Sequence, residues 1–193
     1  MTRLVADAGC KVLGESRPQA LWSKADELAD CQSQLGFRWH MIGHLQRNKV
    51  ARTLPIASLL HSVDSERLLR EINKSAIATN SIAEILLEVN ISGDAAKHGW
   101  APEGILPVLD SVAPLSNLKV CGLMAMAGLQ TDEQGARREF AAMADLKQSL
   151  ATKCPDNCEM RELSMGMSRD FVAAIEEGAT IVRIGSTLFE GLG

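Results

Sequence analysis

Short apolar runs alternate with longer stretches in which apolar residues recur at helical spacing. The seven apolar runs are short enough to be strands, and they lie at 11–14, 39–42, 59–63, 85–91, 119–124, 162–164 and 180–184. Residues 85–91 are apolar at almost every position, which is typical of a strand buried on both faces. Strands that alternate with helices indicate a parallel sheet with crossover helices. The pattern therefore predicts an α/β fold with seven strands and six such helices.

The ends of the predicted helices are marked by capping residues. Ser16 is an expected N-cap, and Thr131 with Gln134 forms an expected capping box. In the last crossover helix the spacing predicts that Phe171, Ala174 and Ile175 face inward and that Gly178 is the C-cap.

The number and spacing of these units suit a (β/α) barrel of the TIM type. A closed barrel of this type has eight strands, whereas seven are predicted and both ends of the sequence lie close to a strand. The chain contains no linker or low-complexity segment. We therefore expect a TIM-barrel-like α/β fold that lacks its first strand, in a single domain of residues 1–193.

The net charge and the apolar runs of the chain indicate its location and the partners it does not bind. The net charge is −4 in 193 residues, which argues against a general nucleic-acid or anionic-membrane surface. The sequence shows no run of about 18 apolar residues and no signal-peptide layout at Met1. We therefore expect a cytoplasmic protein that binds neither nucleic acid nor membrane. Cys154 and Cys158 are spaced CxxxC without a second pair, which favours ordinary thiols over a zinc site.

Two glycine- and serine-containing segments follow the last two strands. One is Ser164–Ser168, which includes Gly166 and Met167, and the other runs from Arg183 through Gly185 and Ser186. Loops after the last two strands of a TIM barrel commonly bind phosphate, and we expect Ser168 at a helix N-terminus. These segments predict a phosphate site. The alternative is that the glycines form turns and Ser168 only caps a helix.

Three further side chains are candidates for a ligand pocket. His44 follows a strand, at the end where barrel active sites lie, and is either a proton donor or a wall of the site. Met124 either packs on a flat cofactor ring or fills the core. Arg183 interrupts an apolar strand, and it either contacts a ligand or pairs with a carboxylate inside the barrel.

The order of several motifs resembles one known family. Residues 39–49, WHMIGHLQRNK, resemble that family's WHFIGHLQxNK segment, and residues 89–99 resemble its VNIS and KxG segments. GLM at 122–124, LSMGMS at 163–168 and VRIGS at 182–186 match further motifs. The chain is similar in this way to the pyridoxal phosphate homeostasis proteins, also called YggS or PROSC proteins.

The resemblance implies the barrel fold of the alanine racemase barrel domain and binding of pyridoxal 5′-phosphate (PLP). Family members are credited with buffering PLP and handing it on, to partners such as PLP-dependent apo-enzymes, rather than with firm catalysis. By this resemblance the phosphate contacts are Gly166, Ser168, Gly185 and Ser186. Met167, Arg183, Met124 and His44 would complete the site, which contains no metal. We expect a monomer or a weak homo-oligomer.

Two departures from the family pattern concern the cofactor. The family holds PLP as a Schiff base on a lysine at the end of a strand that would precede Lys11, so we expect that lysine to be missing from this chain. Lys11 itself matches the next strand. In place of the family's GEN motif this chain has Gly14-Glu15-Ser16. The family's asparagine, which would lie close to the cofactor, is therefore replaced by Ser16.

Two alternatives to a PLP homeostasis protein stay open. The first is a degenerate PLP-fold enzyme such as an amino-acid racemase, which uses a lysine and a tyrosine as bases, and this chain has no tyrosine. The second is a relic that does not bind PLP and acts through protein contacts, with unpaired strand edges that favour self-association.

Overall fold

Seven parallel strands form one sheet in the order of the chain. The computed structural model describes residues 2–94, 96–189 and 191. The strands are β1 Val12–Glu15, β2 Arg38–Met41, β3 Ala57–Val63, β4 Ala83–Val89, β5 Leu118–Ala125, β6 Cys158–Met167 and β7 Ile181–Arg183. All seven predicted strands are present, with ends shifted by up to four residues. Within the described residues β1 and β7 do not pair with each other, so the sheet is a strip bent around its interior.

One helix precedes β1, and the others connect successive strands on the outside of the sheet. They are α1 Thr2–Asp7, α2 Pro18–Glu27, α3 Ala29–Leu35, α4 Val50–Thr53, α5 Glu66–Ala78, α6 Ile105–Val112, α7 Glu133–Ala151 and α8 Phe171–Glu176. Short 3₁₀ turns lie at Arg47–Lys49, Pro102–Gly104 and Ser186–Phe189. Among the residues that the structure describes, none of the helices combines the length and the apolar content needed to cross a bilayer.

The two faces of the sheet bury two separate apolar clusters. On β4, Ile85 and Leu87 belong to the large outer cluster under the helices, whereas Leu86 points into the interior. The inner cluster is small and brings Leu86 against Leu59 and Met124. Full burial of such a side chain contributes about 1.5–3 kcal/mol, so the outer layer supplies most of the apolar stabilisation. The interior is correspondingly left with room for polar side chains.

The start of α2 differs from the prediction because a carboxylate lies nearby. Arg17, rather than Ser16, occupies the N-cap position, so the predicted cap is wrong. Oε1 of Glu15 accepts hydrogen bonds from the N–H groups of both residues, at 2.8 Å for Ser16 and 3.2 Å for Arg17. An ionised carboxylate is a stronger acceptor than a hydroxyl, and it takes the place of the serine cap.

The predicted capping box of α7 is wrong for a similar reason. The cap is Asp132, whose Oδ1 accepts the N–H of Gly135 at 2.7 Å. Thr131 turns away and donates its hydroxyl to Glu139 at 3.4 Å. The aspartate lies one residue beyond the predicted cap, and the helix begins there.

The predicted inward face of α8 is also partly wrong. Ala173 and Ala174 are buried, whereas Ile175 is 53% exposed. The helix is short and packs close to β6 through its alanines, which leaves the larger side chain at its edge. Gly178 follows the helix with φ +91°, a left-handed conformation that suits a residue ending a helix.

Gly122 lets β5 and β6 approach each other. Its φ is +151°, and a Cβ added there would lie 1.9 Å from the carbonyl oxygen of Glu162. The β5–β6 register shifts at the same point, between Val120 and Gly122. Both the backbone angle and the space therefore require glycine.

Gly122→Ala should destabilise the fold by more than about 2 kcal/mol, because the new methyl group overlaps main chain and the φ is strained. Gly104→Ala is the matched control, since a Cβ there meets nothing within 4 Å. Its effect should stay within about 1 kcal/mol of wild type. Urea unfolding of the three proteins measures both values, and equal stability of the two variants would contradict the assignment.

Candidate functional site

A cavity of about 1440 Å³ occupies the interior of the bent sheet. At the carboxyl ends of the strands its lining includes His44, Ser168 and Ser186, and at the opposite end it includes Arg38 and Arg161. Active sites of (β/α) barrels lie at the carboxyl ends of the strands. The polar groups at that end are therefore the candidate site.

The two predicted phosphate-binding segments lie side by side. The N–H of Gly185 donates to Oγ of Ser168 at 3.3 Å, which joins the loop after β7 to the loop after β6. Ser186 follows directly and begins a 3₁₀ turn. The contact is long for a hydrogen bond, and Gly185 is exposed whereas Ser168 is half-buried. Hydroxyl and amide groups in this arrangement suit an anion that accepts from each of them.

Ser168 does not stand at the N-terminus of a helix. It lies in a turn, and α8 begins three residues later, at Phe171, behind an N-cap position taken by Asp170. Oδ1 of Asp170 accepts the N–H of Met167 at 2.6 Å. This part of the prediction is wrong, because strand β6 runs on to Met167 and the turn separates it from the helix. The polar group that Ser168 offers is therefore its own hydroxyl, not a helix N-terminus.

Gly166 and Met167 occupy different environments although they are adjacent. Gly166 has φ +87°, and a Cβ there would lie 2.4 Å from Cβ of Ala174. The glycine therefore lets β6 pack against α8. Met167 is 46% exposed and lines the cavity. The predicted cofactor contacts of these two residues stay predictions.

Arg183 lies inside the barrel and is held by two neutral acceptors. Its Nη1 donates to Oγ of Ser164 at 2.6 Å, and its Nη2 donates to the carbonyl oxygen of Ala125 at 2.8 Å. Burial lowers the pKa of its guanidinium to about 10, while the charges of Asp170 and Glu88 partly oppose this. At neutral pH the side chain is still a cation. Within the described residues it has no carboxylate partner at ion-pair distance, and the predicted alternative of a buried ion pair finds no partner among them.

Two buried histidines continue the hydrogen-bond chain away from Arg183. Nδ1 of His61 lies 2.9 Å from Oγ of Ser164, and Nε2 of His61 lies 3.0 Å from Nδ1 of His40. Burial lowers the pKa of His40 to about 4, with the positive charge of Arg38 adding to the effect. It lowers the pKa of His61 well below its ordinary value, with smaller contributions from the charges of His40 and Arg183. Both rings are therefore neutral, so each can donate through one nitrogen and accept through the other.

Sequence reasoning missed this chain, although a signal was present. His40 and His61 are polar residues within apolar strands, and Ser164 lies inside a motif noted for its glycine. Isolated polar positions on the inner face of a barrel strand mark an internal network, because a buried polar group needs a partner.

Met124 forms part of the apolar wall of the cavity. It is 1% exposed and packs against Leu59, Leu86 and Cys121. Its two predicted roles, core filling and packing on a ring, are both compatible with this position.

His44 belongs to a cluster at the rim of the cavity. Its Nδ1 lies 3.1 Å from Oδ2 of Asp64, and Nδ1 of His98 lies 3.6 Å from the same oxygen. The two imidazole rings stack with centroids 4.5 Å apart. Deeper in the barrel, burial followed by the charge of Asp64 raises the pKa of the Glu88 carboxyl to about 7. Neither Asp64 nor Glu88 was singled out by the sequence as part of a site.

Comparison with known proteins shows which family the chain belongs to. The family model described as the N-terminal domain of alanine racemase matches residues 6–192. A pyridoxal phosphate homeostasis protein of Aquifex aeolicus is 40% identical over 183 residues, which cover 95% of this chain and 78% of the relative.

Solved structures agree with this assignment. The structure of PipY of Synechococcus elongatus with PLP bound has a TM-score of 0.87 and 30% identity, covering 97% of this chain and 85% of that one. An alanine racemase of Clostridium difficile, at 14% identity, shares the fold with a TM-score of 0.73 and covers 97% of this chain and 49% of that one. The predicted barrel fold and the predicted resemblance are both confirmed: the chain belongs to the family of pyridoxal phosphate homeostasis proteins, within the group of alanine racemase N-terminal domains.

Proposed function

We propose that this chain binds PLP non-covalently in the barrel cavity and takes part in intracellular PLP homeostasis. The observation that carries the proposal is the meeting of Ser168, Gly185 and Ser186 at one end of a large cavity that also contains the cationic Arg183. The PLP-bound structure of the relative PipY supports the choice of ligand.

The phosphate of PLP fits the group of donors at the carboxyl ends of β6 and β7. Gly185 offers its N–H, and Ser168 and Ser186 offer hydroxyl groups. A Cβ added to Gly185 would meet nothing within 4 Å, so the space beside its N–H is open to a ligand. Hydrogen bonds to a charged acceptor are shorter and stronger than the 3.3 Å contact between Gly185 and Ser168. A phosphate oxygen that accepts these hydrogen bonds would therefore replace that contact with more favourable ones.

Arg183 supplies the fixed positive charge of the site. Two of its N–H groups are occupied by Ser164 and Ala125, and the guanidinium has five in all. The remaining donors are available to polar atoms of the ligand in the cavity. Met124 and His44 line the same cavity. Met124 would contact the ring of the ligand, and His44 would contact the ligand at the rim of the cavity.

PLP supplies an aldehyde that condenses with amines, and in this cavity that aldehyde would stay free. Among the residues that the structure describes, none that lines the cavity is a lysine. Lys97, from the loop after β4, donates its Nζ to the carbonyl oxygens of Met126 and Ala127 at 3.2 and 2.8 Å. The affinity would therefore come from the phosphate, the ring and the charge.

Reversible binding of this kind suits a carrier better than an enzyme. The proposal is a non-catalytic, cytoplasmic protein that buffers PLP and passes it to PLP-dependent apo-enzymes. We propose that it acts as a single domain and as a monomer or weak homo-oligomer. Its relatives carry the name of homeostasis proteins, which supports the non-catalytic role.

A comparison of three ligands tests how PLP is held. Pyridoxine 5′-phosphate has no aldehyde and should bind with an affinity close to that of PLP. Pyridoxal has no phosphate and should bind about two orders of magnitude more weakly, because several charge-assisted hydrogen bonds are lost. Calorimetry gives the three affinities. Selective binding of PLP together with a borohydride-trapped lysine adduct would show a covalent mode instead.

Substitution of Arg183 tests the origin of the positive charge. Arg183→Gln should weaken binding of pyridoxine 5′-phosphate by about 10- to 100-fold, since a charged donor is lost. Arg161→Gln removes the same charge at the opposite end of the cavity and should leave the affinity near wild type. Calorimetry on variants whose folding is verified by circular dichroism makes the comparison. An equal loss in both variants would assign the effect to overall charge.

The neutral histidine chain predicts how stability depends on pH. The unfolded chain protonates its histidines near pH 6.5, whereas folded His40, which faces Arg38 and Glu162, protonates near 4. His61, beside Arg183, is shifted in the same direction. The unfolded state therefore binds more protons between these values, and stability falls as pH falls from about 6.5 to about 4. For His40 alone the loss is about 3 kcal/mol.

Urea unfolding between pH 7 and pH 4.5 measures this loss. The stability advantage of wild type over the His40→Gln/His61→Gln double variant should shrink as the pH is lowered. Glu88 and all other groups are common to both proteins, so their contributions cancel in the difference. Parallel stability curves for the two proteins would contradict the neutral state of the histidines.

A further inference from the structure

The cluster of His44, Asp64 and His98 has the composition of a metal site. We propose that these three residues bind a divalent transition-metal cation of the Zn²⁺ type, at the rim of the cavity. The inference is independent of PLP binding, because it concerns side chains at the mouth of the barrel rather than the phosphate-binding loops.

The three residues come from three successive strand ends. His44 lies in the loop after β2, Asp64 directly after β3, and His98 in the loop after β4. Parallel strands bring their carboxyl ends to the same edge, so residues far apart in sequence meet there. Lys97, next to His98, is tied to the carbonyl oxygens after β5, which holds this part of the loop beside the barrel.

The distances within the cluster are those of ligands around one ion. Each residue offers one ligand atom, and the three atoms lie within 4.8 Å of one another. From Oδ2 of Asp64 the two imidazole nitrogens are 3.1 and 3.6 Å away. Two ligands about 2.1 Å from a tetrahedral Zn²⁺ are about 3.4 Å apart. The two separations from the carboxylate oxygen therefore lie close to that value.

The kinds of donor atom select the class of cation. Two imidazole nitrogens and one carboxylate oxygen suit Zn²⁺, Co²⁺ and similar ions, whereas Mg²⁺ and Ca²⁺ prefer oxygen ligands alone. Both rings turn Nδ1 toward the same oxygen, so a cation placed there replaces the protons that the rings otherwise share with Asp64.

The site is open on one side. The side chain of Asp64 is 9% exposed, whereas those of His44 and His98 are 45% and 64% exposed. Three protein ligands with an exposed face leave a fourth position for water or for a small ligand, as in catalytic rather than structural zinc sites. His44 and His98 also line the cavity, so that fourth position borders it.

Titration with Co²⁺ as the probe tests the proposal, in the absence of PLP. A background of Cys154→Ser and Cys158→Ser removes the one close pair of thiols among the described residues, whose Sγ atoms lie 2.9 Å apart. On that background we expect one Co²⁺ per chain, visible d–d absorbance bands and displacement by Zn²⁺. Asp64→Asn and His98→Gln should each weaken Co²⁺ binding at least about 10-fold. Asp110→Asn, an exposed carboxylate on α6 with the same change in charge, should leave it unchanged.

A second readout does not depend on the variants. In histidine-labelled protein, paramagnetic Co²⁺ should broaden the ring signals of His44 and His98 more strongly than those of the buried His40 and His61. The proposal is wrong if the Cys154→Ser/Cys158→Ser protein takes up no Co²⁺, or if uptake survives Asp64→Asn at full affinity. It is also wrong if the rings of His40 and His61 are the ones affected, since the ion would then lie inside the barrel.

Discussion

The structure depends on a positive charge kept inside the barrel. A guanidinium inside a protein needs hydrogen-bond acceptors, and two of the five N–H groups of Arg183 donate to neutral ones, the hydroxyl of Ser164 and the carbonyl oxygen of Ala125. Because the charge is not cancelled by a carboxylate, the interior retains a positive potential. Burial keeps the neighbouring His61 neutral, with a smaller contribution from the charge of Arg183, and the same charge favours an anion among the donors of the last two loops.

Much of the fold was predictable, because the apolar pattern of each segment agrees with the position of that segment in the barrel. The near-continuous apolar run of β4 and the alternation of strands with helices are enough to predict a parallel barrel. The helix ends were less predictable. Asp132 and Glu15 displaced the expected caps because carboxylates one residue away compete with hydroxyl caps, and their reach depends on the three-dimensional turn.

The candidate site was predictable where its residues are close in sequence, and otherwise was not. The pairing of Ser168 with Gly185 follows from two adjacent strands, so the rule for barrel loops was sufficient. The chain from Ser164 through His61 to His40 joins strands that are distant in sequence. Nothing in the sequence near Asp64 indicates that two histidines from other loops stack beside it, since the curvature of the sheet decides that contact.

The hydrogen bond between His61 and Ser164 also affects the shape of the sheet. His61 lies on β3 and Ser164 on β6, so the hydrogen bond between them crosses the interior of the bent sheet. In the described residues β1 and β7 do not close the sheet by hydrogen bonds, and a strip of strands can flatten or curl in ways that a closed ring cannot. The ring of His61 links the third and sixth strands and so restrains how far this part of the sheet can flatten. The width of the cavity between these strands therefore depends on the length of a side chain as well as on the number of strands.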